Sequence, residues 1–225
     1  MALIAPSLLA ADLTRLGDTL RRWQGLGAKM VHVDVTDGHY LPGITVGQPV
    51  IQSLRKATDL VLDIHLQVEK PERYALQFVK SGANRVAIPV ETAPHLHRVL
   101  ASVRAGGALA GVAVDPSTTV ESLGDALEDA DYLLLLSADP GLPRAAFLRR
   151  STERVRAAAA LRRQRRLSFA IEVEGGIGAD QVEDLRDAGA DILVASSDIF
   201  ENDAPVDRLT ELIRLAAAPA RLAKS

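Results

Sequence analysis

The chain has 225 residues, 48% of them hydrophobic, with a formal net charge of -3 and no cysteine. A net-negative chain lacks the basic field that nucleic acid or an anionic membrane selects, the absence of cysteine excludes disulfides and thiolate metal sites, and no apolar run reaches the roughly 18 residues of a membrane span. The length suits one sizeable core, so residues 1–225 are expected to form a single domain in the cytoplasm, with a small molecule as partner.

The first short apolar run, residues 3–5, has no basic flank and reads as a strand rather than a signal peptide. Leu13, Leu16, Leu20 and Trp23 follow at helical spacing. Further apolar runs come at 30–35, 60–66, 85–88, 109–114, 132–136, 169–173 and 192–195, about every 20–37 residues. Helix-like segments separate them, such as Tyr74, Phe78 and Val79, then Val182, Leu185 and Ala188. Gly27, Gly82 and Gly189 stand where a left-handed residue ends a helix before the next strand. The string Arg162-Arg163-Gln164-Arg165-Arg166 reads as a solvated helix end, and the small, polar tail after Leu215 as a frayed one. Alternating strand and helix imply parallel strands with right-handed crossovers. Eight units in this length predict a closed α/β barrel of the (β/α)8 TIM type, with a doubly wound open sheet as the alternative.

Barrel interiors are normally filled by branched apolar side chains, and three runs break that rule alike. The second reads Val31-His32-Val33-Asp34-Val35, the third Leu62-Asp63-Ile64-His65-Leu66, and the seventh Ile171-Glu172-Val173-Glu174. With period two, His32 and Asp34 share a face, as do Asp63 and His65, and Glu172 and Glu174. Their neighbours are apolar, so the polar face points inward. A lone strand histidine is more often a satisfied core residue, and a lone aspartate a helix cap. Two histidines and two acids from three strands instead fit one divalent ion, Zn, Fe, Mn or Co, held by His32, Asp34, His65 and Glu174 at the C-terminal mouth. Asp63 and Glu172 lie a layer deeper and are expected to orient the ligands. Asp34 and Glu174 can face each other across the mouth. They are expected to take a proton from one face of a carbon beside a carbonyl and return one to the other.

These residues lie in strings that resemble the ribulose-phosphate 3-epimerase family over nearly the whole chain. The strings are Ala5-Pro6-Ser7-Leu8-Leu9-Ala10-Ala11-Asp12-Leu13, His32-Val33-Asp34-Val35-Thr36-Asp37-Gly38-His39-Tyr40-Leu41-Pro42, Asp63-Ile64-His65-Leu66, Ser137-Ala138-Asp139-Pro140-Gly141, Ile171-Glu172-Val173-Glu174-Gly175-Gly176-Ile177 and Val194-Ala195-Ser196-Ser197-Asp198-Ile199-Phe200. The His-x-Asp-x-x-Asp-Gly-His string before a proline is the most specific of them. The resemblance implies a barrel of the ribulose-phosphate binding type, a homo-oligomer, and inversion at C3 of a ketose phosphate of the D-ribulose 5-phosphate/D-xylulose 5-phosphate type. It implies substrate contacts from Ser7 and His65. It also implies phosphate binding by the loops after strands six, seven and eight, at Gly141, at Gly175 and Gly176, and at Ser196 and Ser197.

The chain departs from the family pattern around the site. Glu174 replaces the usual aspartate, and Thr36, Gln67 and Leu136 replace methionines, so two apolar walls are expected to be polar. The usual Asn-Pro-Gly-Phe-Gly-Gly-Gln lid reads Asp139-Pro140-Gly141-Leu142-Pro143-Arg144-Ala145, where Pro143 lacks an amide donor and Arg144 either binds an anion or starts a helix. Ser196 replaces a glycine, Asp115 an asparagine and Pro89 a histidine. These changes keep two alternatives open: an epimerase or isomerase for a different or unphosphorylated sugar, and a catalytically silent sugar-binding relative. Related barrels that decarboxylate through an Asp-x-Lys-x-x-Asp string are disfavoured, since Asp34-Val35-Thr36-Asp37 has no lysine.

Overall fold

Runs of Val, Ile and Leu favour extended backbone because branched side chains pack well on a pleated surface. In a computed structural model, which describes residues 1–142 and 144–219, these runs form eight parallel strands. They are β1 (Leu3–Pro6), β2 (Met30–Thr36), β3 (Val61–Gln67), β4 (Arg85–Pro89), β5 (Leu109–Val114), β6 (Tyr132–Leu136), β7 (Ala170–Glu174) and β8 (Ile192–Ala195). The hydrogen-bonded order is β1-β8-β7-β6-β5-β4-β3-β2, and a parallel bridge from Ser7 to His32 joins its two ends, closing a (β/α)8 barrel.

The strands alternate with helices α1 (Leu16–Gly25), α2 (Gln48–Ala57), α3 (Ala75–Lys80), α4 (Leu96–Ala105), α5 (Arg150–Gln164), α6 (Ala179–Ala188), α7 (Ser197–Phe200) and α8 (Pro205–Ala217). One connection differs from the expected strand–helix alternation. Between β5 and β6 runs a 3-10 segment, Val120–Glu128, broken at Gly124 with φ 49°. Gly27, Gly82 and Gly189 all have positive φ, as their places at helix ends require.

The main core lies between strands and helices. Val31, Val33 and Val35 pack there with Leu62, Ile64, Leu66, Ile171 and Val173. That outward set leaves His32, Asp34, Asp63, His65, Glu172 and Glu174 to the barrel interior. The arginine string closes α5 as expected, but Arg162 and Arg165 are only partly solvated and are held by partners. Arg162 binds Asp191 at 2.6 Å, and Arg165 binds the Gly124 carbonyl and Asp125. α8 continues through Ala217, so helix persists beyond Leu215; Pro143 and residues 220–225 lie outside the described residues. No helix among the described residues is long and apolar enough to cross a membrane.

Candidate active site

Strand register brings the polar residues together. Asp34 on β2 stands beside His65 on β3, and His32 beside Asp63. Glu174, the last residue of β7, reaches the same point from the other side of the barrel. One ligand atom each from His32, Asp34, His65 and Glu174 lies within 4.8 Å of the others. His32 Nε2 is 3.5 Å from Asp34 Oδ1 and 3.3 Å from Glu174 Oε2. His65 Nδ1 is 3.5 Å from Asp34 Oδ1 and 2.9 Å from Glu174 Oε2. The carboxylates thus meet both imidazoles at the bottom of the mouth.

A buried polar layer orients them from below. His32 Nδ1 lies 2.8 Å from Asp63 Oδ2, a carboxylate acceptor, so Nδ1 carries a hydrogen and Nε2 points up between Asp34 and Glu174. Arg85 on β4 donates to Asp63 Oδ1 at 3.0 Å and to Glu172, and its guanidinium lies 3.8 Å from the centre of the Tyr132 ring. Tyr132 Oη donates to the same Asp63 oxygen at 3.2 Å. Burial alone would raise the Asp63 carboxyl, but Arg85 and His32 hold it far below the usual range. Glu172 goes the other way, pushed up to about 7 by burial and by Asp63. Of the deeper carboxylates, Asp63 therefore holds a candidate ligand, His32, while Glu172 binds Arg85, whose charge lets both be buried.

The mouth tests well as a cation site. His32 Nε2 is fully buried and has no hydrogen-bond partner. A buried imidazole nitrogen that faces two carboxylates without a hydrogen-bond partner marks a position that a proton or a metal cation fills. Two nitrogens and two oxygens suit borderline divalent ions. In the metal-free protein the imidazoles take the cation's place. Burial opposes the charged form of His65, yet Glu174 and Asp34 raise it to about 9, and they raise His32 as well. Burial would raise the Asp34 carboxyl, but His32 and His65 hold it well below the usual range.

Above the cluster opens a cavity of about 490 Å3. Of the residues expected to bind substrate, Ser7, Gly141, Gly175, Gly176, Ser196 and Ser197 line it. His65 lies beneath, 1% exposed, and belongs to the cluster rather than to the wall. Ser7 Oγ donates to Asp34 Oδ2 at 3.1 Å. Of the two walls expected to be polar, Gln67 is: its Nε2 donates to Asp34 Oδ1 at 2.8 Å. Thr36 also lines the cavity, with its hydroxyl donating to the Gly43 carbonyl at 2.9 Å. Arg144 does not start a helix, since α5 begins at Arg150; its Nε donates to Glu201 Oε1 at 2.9 Å. Asp139 is exposed and lines the cavity.

Sequence reading passed over Arg85 and Glu201. Arg85 left one signal, a charge at the head of an apolar run; Glu201 left none.

A family model described as "Ribulose-phosphate 3 epimerase family" matches residues 3–200. The ribulose-phosphate 3-epimerase of Aquifex aeolicus is 40% identical over 200 residues, covering 89% of this chain and 90% of that protein. The ribulose-phosphate 3-epimerase of Mycobacterium tuberculosis is 38% identical over 216 residues, covering 96% of this chain and 93% of its own. Among solved structures, the 3-hexulose-6-phosphate synthase of Salmonella typhimurium superposes with a TM-score of 0.70 at 14% identity, covering 95% of this chain and 98% of that one. That likeness is one of fold.

Proposed function

The chain belongs to the ribulose-phosphate 3-epimerase family and is an epimerase, and from that premise we propose that it inverts C3 of a ketose phosphate of the D-ribulose 5-phosphate/D-xylulose 5-phosphate type, with one divalent ion, Zn, Fe, Mn or Co, held by His32, Asp34, His65 and Glu174. One arrangement carries the reading: two carboxylates and two imidazoles within 4.8 Å of one another beneath a cavity of about 490 Å3. A bound divalent ion supplies Lewis-acid stabilisation of oxyanion character beside the reacting carbon.

The chain's own residues handle the proton. One carboxylate removes the C3 proton, and the C–H electron pair moves into the adjacent C2 carbonyl to give an enediolate. The other carboxyl then delivers a proton to the opposite face of C3, and the pair returns to re-form the carbonyl. Asp34 and Glu174 end with their protonation states exchanged, which is the starting state for the reverse direction. Asp34 Oδ2, backed by the Ser7 hydroxyl, is the oxygen left for this exchange, because Oδ1 faces the imidazoles. Glu174 carries one methylene more than the family's aspartate and is 15% exposed on its side chain, so it has room to swing toward C3. The loops bearing Gly141, Gly175, Gly176, Ser196 and Ser197 hold the distal phosphate.

Metal-replete protein with D-ribulose 5-phosphate in D2O is expected to place deuterium at C3. Asp34→Asn and Glu174→Gln are each expected to slow that exchange by about 10²–10⁴-fold, the usual contribution of a positioned acid or base. Absence of exchange into the wild-type reaction would overturn the proposal. A second reading, an unphosphorylated or different sugar, draws on the acidic groups Asp139 and Glu201 at the cavity wall. Deuterium entering free D-ribulose as fast as its 5-phosphate would favour it.

A further inference from the structure

The loop after β6 is tied at its base. Leu148 N donates to the Ser137 carbonyl at 2.7 Å. Beside that base the loop lies flat on the two glycines after β7. A Cβ on Gly175 would meet Ala138 N at 2.8 Å, and one on Gly176 would meet Phe147 N at 2.7 Å. Ala138 and Phe147 thus lie close against the glycines, and Asp139 and Arg144, between them in sequence, line the cavity.

Charge along that wall is uneven. Among the described residues lining the cavity, Arg144 is the only arginine or lysine, and Asp139 and Glu201 add carboxylates to those of Asp34 and Glu174. Glu201, just beyond α7, accepts from Arg144 Nε at 2.9 Å, so this ion pair spans from the loop after β6 to the chain beyond β8. The two side chains are 76% and 46% exposed. A pair so exposed is screened and weak, and a better anion can exchange with it. A phosphate dianion is such an anion, with more charge than Glu201 and three oxygens for a planar, forked guanidinium.

We propose that Arg144 and Glu201 form an anion-exchanged latch: Arg144 takes the terminal phosphate of a ketose phosphate, and Glu201 is the internal competitor that holds Arg144 when no substrate is bound. The inference rests on the reading that the substrate is phosphorylated. It makes Arg144 a specificity-determining residue, standing where this chain's lid has lost glycine amides. A free sugar has no group to displace Glu201 and leaves the latch shut. Asp139 and Glu201 oppose an anion at this wall, and capture of Arg144 offsets that opposition.

The test uses the full chain, metal-replete, as wild type, Arg144→Gln and Glu201→Gln. Inorganic phosphate binding is followed by calorimetry, and kcat/KM is compared between D-ribulose 5-phosphate and free D-ribulose. Arg144→Gln is expected to weaken phosphate on the order of 10- to 100-fold and to cut the preference for the phosphorylated ketose by a similar factor. Glu201→Gln is expected to act in the opposite direction, tightening phosphate about 2- to 5-fold by removing the competitor. Opposite signs from the two partners of one ion pair are not produced by loss of a structural contact, which would weaken both. If Arg144→Gln leaves phosphate affinity and the preference within two-fold of wild type, or Glu201→Gln weakens binding, the latch is wrong. Deuterium exchange into D-ribulose 5-phosphate would then still stand on its own as the test of epimerisation.

Discussion

Asp34 is held at both of its oxygens, and by different residues. Gln67 donates to Oδ1, the oxygen that faces the imidazoles, and Ser7 donates to Oδ2. Two donors on two oxygens stop the carboxylate from exchanging them by rotation. Gln67→Leu removes one donor at similar volume, and about 10- to 100-fold is expected to be lost in Mn²⁺ affinity or in kcat, the usual effect of removing a partner of a metal ligand. Chelator competition and steady-state rates read the two separately; a variant equal to wild type in both would show that Ser7 alone fixes Asp34. His65 gives a pH dependence of known sign. Its pKa in the folded, metal-free protein is raised to about 9, above the ordinary value of about 6.5. The stability this contributes is therefore complete below about pH 6.5 and is lost as pH rises through about 9. A cation needs Nδ1 without its proton, so metal uptake is expected to release protons and to tighten from pH 6 to pH 9. An affinity flat across that range would argue against His65 as a ligand. The convergence of these residues was legible in the sequence because strand period is two, and apolar neighbours mark which face is which. Gln67's partner was not, because the carboxylate it meets sits on the adjacent strand and the pairing depends on register.

Elements set how close the layers come. Gly111 on β5 pairs with Tyr132 on β6, and a Cβ at 111 would lie 2.3 Å from the Tyr132 ring. The glycine leaves the space that the ring fills, and the ring places its hydroxyl on Asp63 and its face under Arg85. Gly111→Ala is thus an overpacking change one layer below the candidate ligands. It is expected to cost about 1–3 kcal/mol, measured by urea unfolding, and to raise KM less than it lowers kcat, since no cavity wall changes. Unchanged stability would mean that Tyr132 finds a second rotamer without loss. Strand positions were readable from composition because each apolar run is short and bounded by turn residues. The fifth connection was not: Pro116 and Gly124 interrupt a stretch whose apolar spacing alone suggests helix, and a left-handed break at Gly124 divides it. Arg85 escaped notice for a different reason. Its partner Asp63 faces it only through the β3–β4 register, and its partner Glu172 lies on β7, 87 residues away, where only barrel closure makes the two neighbours.

At the scale of the whole molecule, the candidate ligands tie the barrel across its width. β2 and β3 are adjacent, whereas β7 lies across the interior from them. Outside them, one continuous apolar core joins strands to helices from Ala2 to Ala216. No ligand set exists until β7 has been brought opposite β2, so a cation binds the closed barrel and not the unfolded chain. Linkage then makes the ion a stabiliser of the entire fold, by about 2.7 kcal/mol at a free concentration of 100 times its Kd. For a domain of this size about 1 kcal/mol moves Tm by roughly 2–4 °C, so the expected rise is about 5–11 °C. A single transition shifted as a whole by Mn²⁺ or Zn²⁺, in calorimetry at constant pH, is the outcome that fits one core and one site. Two transitions, of which the ion moves one, would separate the strands bearing the ligands from the rest and overturn the proposal that residues 1–225 fold as one domain. His32→Ala supplies the control. It removes the orphaned Nε2 and the Nδ1 bond to Asp63, and is expected to lose the response to metal along with part of the metal-free stability.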